Sequence, residues 1–197
     1  LTAFPSIGRR ITRHPFQFNF DRALQASACL LRFDDVNKRM SYLRLLKLLY
    51  IADREWLAET GESITGDRAC AMKQGPVLST VYDLVKGDAA LSGRWDDFIH
   101  NDGYRVTLVR DPGRDTLSRG MIDKLNEVTV RHREDADWSI VDITHTFPEW
   151  ETNFDGGSTL IPWQDISTAM GKPEMIAVVE REAREREAIE NVFGPEP

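Results

Sequence analysis

The sequence predicts an α+β fold that is mainly α: a compact helical domain around a buried central helix at about 42–60, with one small antiparallel β-hairpin. Three observations lead there. Tyr42 to Thr60 runs without Gly or Pro and is apolar around most of its circumference, the mark of a helix enclosed by neighbours. Most other apolar residues recur at three- and four-residue spacing. The clearest alternation of period two, Tyr104 to Leu108, follows an Asp102-Gly103 turn.

Residues 1–15 carry Pro5, Gly8 and Pro15 without periodicity and read as an arm. They hold four basic residues but no apolar stretch, so they do not read as a signal peptide. Phe20, Ala23, Leu24, Ala28 and Leu31 then mark a first helix, with Asn19 placed to cap it. Asp34, Asp35 and Asn37 break the pattern. The central helix follows, with Ser41 as N-cap and Gly61 where a left-handed C-terminal cap belongs. Its stripe of Leu45, Leu48, Leu49, Ala52 and Trp56 is widened by Leu43, Leu46, Tyr50 and Leu57.

A turn-rich loop runs from Gly61 to Gly66, and Ala69 to Lys73 fits a short extended segment. Pro76 suits the first position of a third helix, where its missing N–H has no intrahelical partner. That helix carries Val77, Val81, Leu84 and Val85 and closes at Gly87. Trp95 to His100 and Tyr104 to Val109 form the expected hairpin, with Tyr104, Val106 and Leu108 on one face. Ser118 opens a helix to about Arg133, and Ser139 caps a short one to about Thr146. Residues 151–161 read as a loop, and 162–170 as one or two helical turns. The chain thus divides into an arm (1–15), a domain (16–172) and a charged helical tail (173–197). In the tail, Glu180–Arg184 and Glu182–Arg186 have the favourable i,i+4 orientation.

Composition narrows the function classes. With 197 residues, 41% hydrophobic and 29% charged, the chain buries a core without metal or disulfide help. No run approaches the ~18 consecutive apolar residues of a membrane span. Its cysteines, Cys29 and Cys70, sit among apolar neighbours and suit buried thiols in a reducing, cytoplasmic setting. A net charge of −7 disfavours DNA as a partner. The basic cluster Arg9, Arg10, Arg13 and His14 fits either a solvated tail or a small DNA-contacting arm.

A search for chemistry finds little. His14, His100, His132 and His145 show no metal-ligand spacing and fall on four separate elements. There is no phosphate-binding glycine loop, and nothing beside either cysteine suggests a thiolate. Asp53 and Glu55 lie two apart on a helix and point in different directions. Asp53, beside Tyr50 and Trp56, fits a hydrogen-bonding or capping group at the core edge. No catalytic residue, metal or cofactor is expected, so protein binding is favoured over catalysis.

One set of motifs is more specific. Leu45-x-Lys47-Leu48-Leu49-Tyr50-x-Ala52-Asp53 with Gly61 is followed by Gly75-Pro76-Val77 and Tyr82. Asp102-Gly103-Tyr104, Leu117-Ser118, Thr144-His145, Pro148-Glu149-Trp150 and Ile161-x-x-x-Asp165-Ile166 with Gly171 come next, in that order. Over about residues 16–172 this resembles the Panacea domain of SocA-like antitoxins. The resemblance implies the neutralising half of a bacterial or phage two-gene system (type II), binding a cognate protein toxin directly and without catalysis. Some members of that family resemble adaptors that deliver the toxin to a ClpXP-type protease. A DNA-binding autoregulator acting through the Arg9–His14 arm is the weakest alternative.

Lys47, Leu48, Leu49, Gly75, Pro76 and Val77 read as architectural, and His145 with Trp150 as a packing pair. A domain that meets diverse toxins keeps its scaffold and varies its surface. Partner contacts are therefore expected on the arm, the 61–74 loop, the hairpin and the tail. The candidate contact residues are Tyr50, Asp53, Trp56, Lys73, Gln74, Tyr104 and Arg105. The acidic balance suits a basic toxin. The tail has three open placements: on its own body, on a second copy in a homodimer, or around the toxin.

Overall fold

Ser41 and Gly61 set the ends of the central helix. In the computed structural model, which describes residues 14–34 and 37–193, the first helix is α1 (Phe20–Asp34) and a short strand β1 (Arg39–Ser41) follows. The central helix α2 (Tyr42–Thr60) starts where Ser41 Oγ accepts from the Arg44 N–H at 3.0 Å. It stops where Gly61, at φ +79°, donates its N–H to Leu57 O at 2.9 Å. Fourteen of its 19 residues are buried, against α1, β3 (Gly75–Leu78), α5 (Arg119–Arg131), α6 (Asp137–His145) and α8 (Trp163–Ala169). Asn19 caps α1 by accepting from the Arg22 N–H at 2.9 Å, and Ser118 caps α5 through the Met121 N–H at 3.2 Å.

A helix enclosed on all sides must satisfy its polar residues internally. Arg44, 6% exposed, donates to both oxygens of Asp34 and to the carbonyls of His132 and Asp135. It thereby ties α1, α2 and the end of α5 together. Lys124 of α5 reaches Glu59 and Glu127, with Glu55 at 3.5 Å, while Arg131 pairs with Glu55 and Glu127. The carboxylates around Lys124 raise its pKa despite its burial.

The fold is mainly helical with antiparallel β, as expected, but the described residues form two three-stranded sheets rather than a single hairpin. The hairpin expected at 95–109 is present as β4 (Ile99–Asn101) and β5 (Arg105–Leu108), shorter than predicted and joined on its β5 side by β1. Trp95 belongs instead to the short helix α4 (Ser92–Asp96) and is completely buried. Strand β5 begins at Arg105, so Tyr104 falls in the turn at 55% exposure, while Val106 and Leu108 face the core.

The second sheet has the order β3-β2-β6, with β2 at Ala69–Met72 and β6 at Thr159–Ile161. Here the expected third helix is corrected. Pro76 pairs with Ala71 in β3, and α3 (Ser79–Lys86) starts three residues later. A proline fits an edge strand as well as a helix start, because neither needs its N–H. The stretch expected as loop, 151–161, also contains the end of α7 (Pro148–Asn153) and strand β6.

The tail helix α9 (Glu174–Phe193) spans the predicted residues and shows the Glu180–Arg184 pair at 4.0 Å. Its first turns lie on the body: Val179 is 1% exposed, and a Cβ at Gly61 would meet Met175 at 3.0 Å. The Arg9, Arg10 and Arg13 cluster of the arm lies outside the described residues. No helix among the described residues is long and apolar enough to cross a membrane.

Candidate functional site

Glu149 organises the scaffold beneath the motif residues. It sits in the first turn of α7 at 1% exposure, where Pro148 fits the helix start. It accepts from Tyr50 Oη at 2.9 Å and from Arg54, which approaches it with both Nε and Nη2. Arg54 also lies 4.0 Å from the centre of the Phe147 ring. Burial and the adjacent Glu149 charge push the Tyr50 hydroxyl well above the ordinary tyrosine range.

Asp53, one turn further along α2, holds the loop that follows the helix. Its carboxylate accepts from the N–H of Ile64 at 2.8 Å, from the N–H of Thr65 at 3.3 Å, and from the Thr65 hydroxyl. Burial lifts this carboxyl above the usual range, with the hydrogen bonds partly offsetting it. Asp67 fastens the end of the same loop by accepting from the Val81 N–H at 2.9 Å and the Thr80 hydroxyl at 2.7 Å. Two carboxylates thus hold the 61–68 loop between α2 and α3.

Lys47, completely buried, donates to the carbonyl of Pro76 at 2.8 Å. Among the described residues no carboxylate pairs with it. Burial lowers its pKa to about 7. Gly75 closes over it at φ +88°, where an added Cβ would lie 2.6 Å from Thr144 Oγ1 and 2.9 Å from Lys47 Nζ. The Gly75-Pro76 motif is therefore a lid that only glycine permits at its first position. His145 stacks on Trp150 at 4.3 Å, and Trp150 donates its indole N–H to Met72 O at 2.9 Å.

Above this layer is a cleft of about 390 Å³. One wall is the first half of α2, with Tyr42, Leu43, Leu46 and Lys47. A second wall is α6, which presents Trp138, Val141 and His145 at the i, i+3, i+7 spacing of one helix face. Met72, Lys73, Gln74 and Gly75 of the β2–β3 turn form one end, and Tyr82 of α3 joins the lining. Trp138 is 59% exposed.

The candidate contact residues separate in space. Lys73 and Gln74 are exposed on the cleft rim. Tyr104 is exposed one ring away, edge-on to Tyr42 at 6.5 Å, with Arg105 exposed beside it. Trp56 is half-buried on a different face, against Gly120 of α5. Tyr50 and Asp53, at 1% and 5% exposure, offer no surface in this conformation and spend their polar atoms on Glu149 and the 64–65 backbone. Of the motif residues, Leu48, Leu49 and Val77 are buried in the core.

Sequence reasoning missed Trp138. Its signal was a single tryptophan in the otherwise polar stretch Glu134–Ser139. Among the described residues no group of three or more His, Cys, Asp and Glu is arranged to hold a metal. Burial raises the pKa of both Cys29 and Cys70.

A family model described as the antitoxin SocA-like Panacea domain matches residues 45–151, more than half of the chain. No curated protein and no solved structure gives a match.

Proposed function

The chain belongs to the family of SocA-like antitoxins that carry the Panacea domain, and from that premise we propose that it neutralises a cognate protein toxin by direct binding, as the antitoxin of a type II pair acting in the cytoplasm. The observation that carries this reading is the family match over 45–151. That span begins within α2 and ends within α7, so it takes in the Lys47–Pro76 and Tyr50–Glu149 contacts. The exposed Trp138, Lys73 and Gln74 of the cleft and the nearby Tyr104 support a protein partner, since tryptophan and tyrosine are among the residues that dominate such interfaces.

The test is co-expression with the product of the adjacent reading frame. Expected are growth arrest by that product alone, rescue when this chain is present, and a stable complex of the two on gel filtration. Rescue with a complex but with falling amounts of the partner would replace simple neutralisation by delivery to a protease. Neither complex nor rescue would overturn the antitoxin reading.

A further inference from the structure

The cleft differs from the rest of the molecule in charge. The whole chain carries 32 acidic and 25 basic residues, yet among the described residues no carboxylate lines the cleft, whereas the exposed Lys73 does, with His145 and the buried Lys47 beneath it. Lys86 adds a further cation at its edge, with Nζ 4.7 Å from the centre of the Tyr42 ring. The apolar lining is equally distinctive. Tyr42, Met72 and Tyr82 are half-buried, and Trp138 stands with more than half its surface in solvent. An exposed tryptophan beside a cleft is apolar area that a partner can remove from water.

Two polar atoms below the cleft are incompletely paired. His145 Nε2 is buried with no hydrogen-bond partner among the described residues. Lys47 Nζ, with three donor positions when protonated, has the Pro76 carbonyl as its one partner among the described residues.

We propose that this cleft is the toxin-docking site, and that it takes a toxin segment presenting a carboxylate next to a large apolar side chain. The apolar group fills the space between Trp138 and Tyr42, and the carboxylate meets Lys73 at the rim above His145. The inference rests on the antitoxin reading and adds to it the surface and the partner chemistry. It also reverses the expectation from net charge alone. An acidic chain suits a basic toxin over long distances, but the docking surface itself offers the Lys73 cation and no carboxylate among the described residues, which selects an acidic segment.

The experiment measures the affinity of the full chain for the product of the adjacent reading frame, by calorimetry and stopped flow, for wild type and three variants. Trp138→Ala removes the aromatic wall and is expected to weaken binding at least about thirty-fold, as for a central interface tryptophan. Lys73→Glu reverses the rim charge and is expected to slow association at least about ten-fold at low salt while flattening its salt dependence. Leu160→Ala, an exposed apolar residue of β6 away from the cleft lining, is expected to bind like wild type. All three positions have exposed side chains, and matched thermal unfolding curves verify that each variant is folded.

If wild type binds and rescues growth while Trp138→Ala and Lys73→Glu bind equally well, the cleft assignment is overturned and the antitoxin reading stands. If Trp138→Ala dissociates a homodimer in sedimentation while toxin affinity is unchanged, a second copy occupies the cleft and the toxin-segment assignment falls. If wild type neither binds nor rescues, both fall together.

Discussion

Tyr50 and Glu149, separated by 99 positions in the chain, meet through a 2.9 Å hydrogen bond in a site with almost no solvent contact. The same carboxylate carries the buried Arg54 pair, so one side chain of α7 compensates two polar groups of α2.

Replacing Glu149 by Ala leaves Arg54 buried without its counter-ion, and should cost about 3–5 kcal/mol. Tyr50→Phe removes one hydrogen bond and should cost about 1–2 kcal/mol. Urea unfolding of both single variants and the double variant checks the coupling. In the absence of Glu149, the Tyr50→Phe cost should shrink to a few tenths. Full additivity would mean that the two side chains do not act together.

Asp53 should behave as a loop anchor. Asp53→Ala strips acceptors from the Ile64 and Thr65 amides and the Thr65 hydroxyl, at a cost of about 2–4 kcal/mol. Hydrogen exchange at the Ile64 and Thr65 amides should accelerate far more than at the α5 amides. Uniform acceleration would instead mean that the loop and the core open together.

Lys47 gives stability a dependence on pH of known sign. Burial lowers its pKa to about 7, whereas the unfolded chain keeps the ordinary lysine value near 10.4. Below about pH 7 both states hold the proton, and folding bears the full cost of burying the charge. Between about pH 7 and 10 the folded state has released the proton that the unfolded state still binds, so stability rises with pH. The slope approaches about 1.4 kcal/mol per pH unit, and the total is at most about 5 kcal/mol. Subtracting the profile of Lys47→Met from that of wild type isolates this contribution. A flat difference profile would show that Lys47 titrates alike in both states.

Two glycines separate backbone strain from crowding. Gly87 has φ +84° with nothing within 4 Å of an added Cβ, while Gly75 has φ +88° with Thr144, Lys47 and His145 close by. Gly87→Ala should cost about 1–2 kcal/mol from the left-handed backbone alone. Gly75→Ala should cost roughly 2–4 kcal/mol, because the lid over Lys47 must also shift. Equal thermal shifts in the two variants would mean that the lid yields freely.

What the chain determined locally was its helices. Ser41 and Gly61 bound α2, and Asn19 and Ser118 start α1 and α5, because a cap is a contact between residues three or four apart. The nearly all-round apolar pattern of 42–60 likewise announced a central position in the core. Pairing was a different matter. Strands β1 and β6 are three residues each and join partners far away in sequence, so no local period marks them. Pro76 was ambiguous for the same reason, since only the presence of β2 beside it decides between strand and helix. The burial of Tyr50 and Asp53, and the convergence of Trp138 with Lys73 and Tyr42 on one cleft, were tertiary outcomes. Each depends on how α6, α7 and the β2–β3 turn pack around α2, and long-range packing leaves no periodic trace in the residues that it brings together.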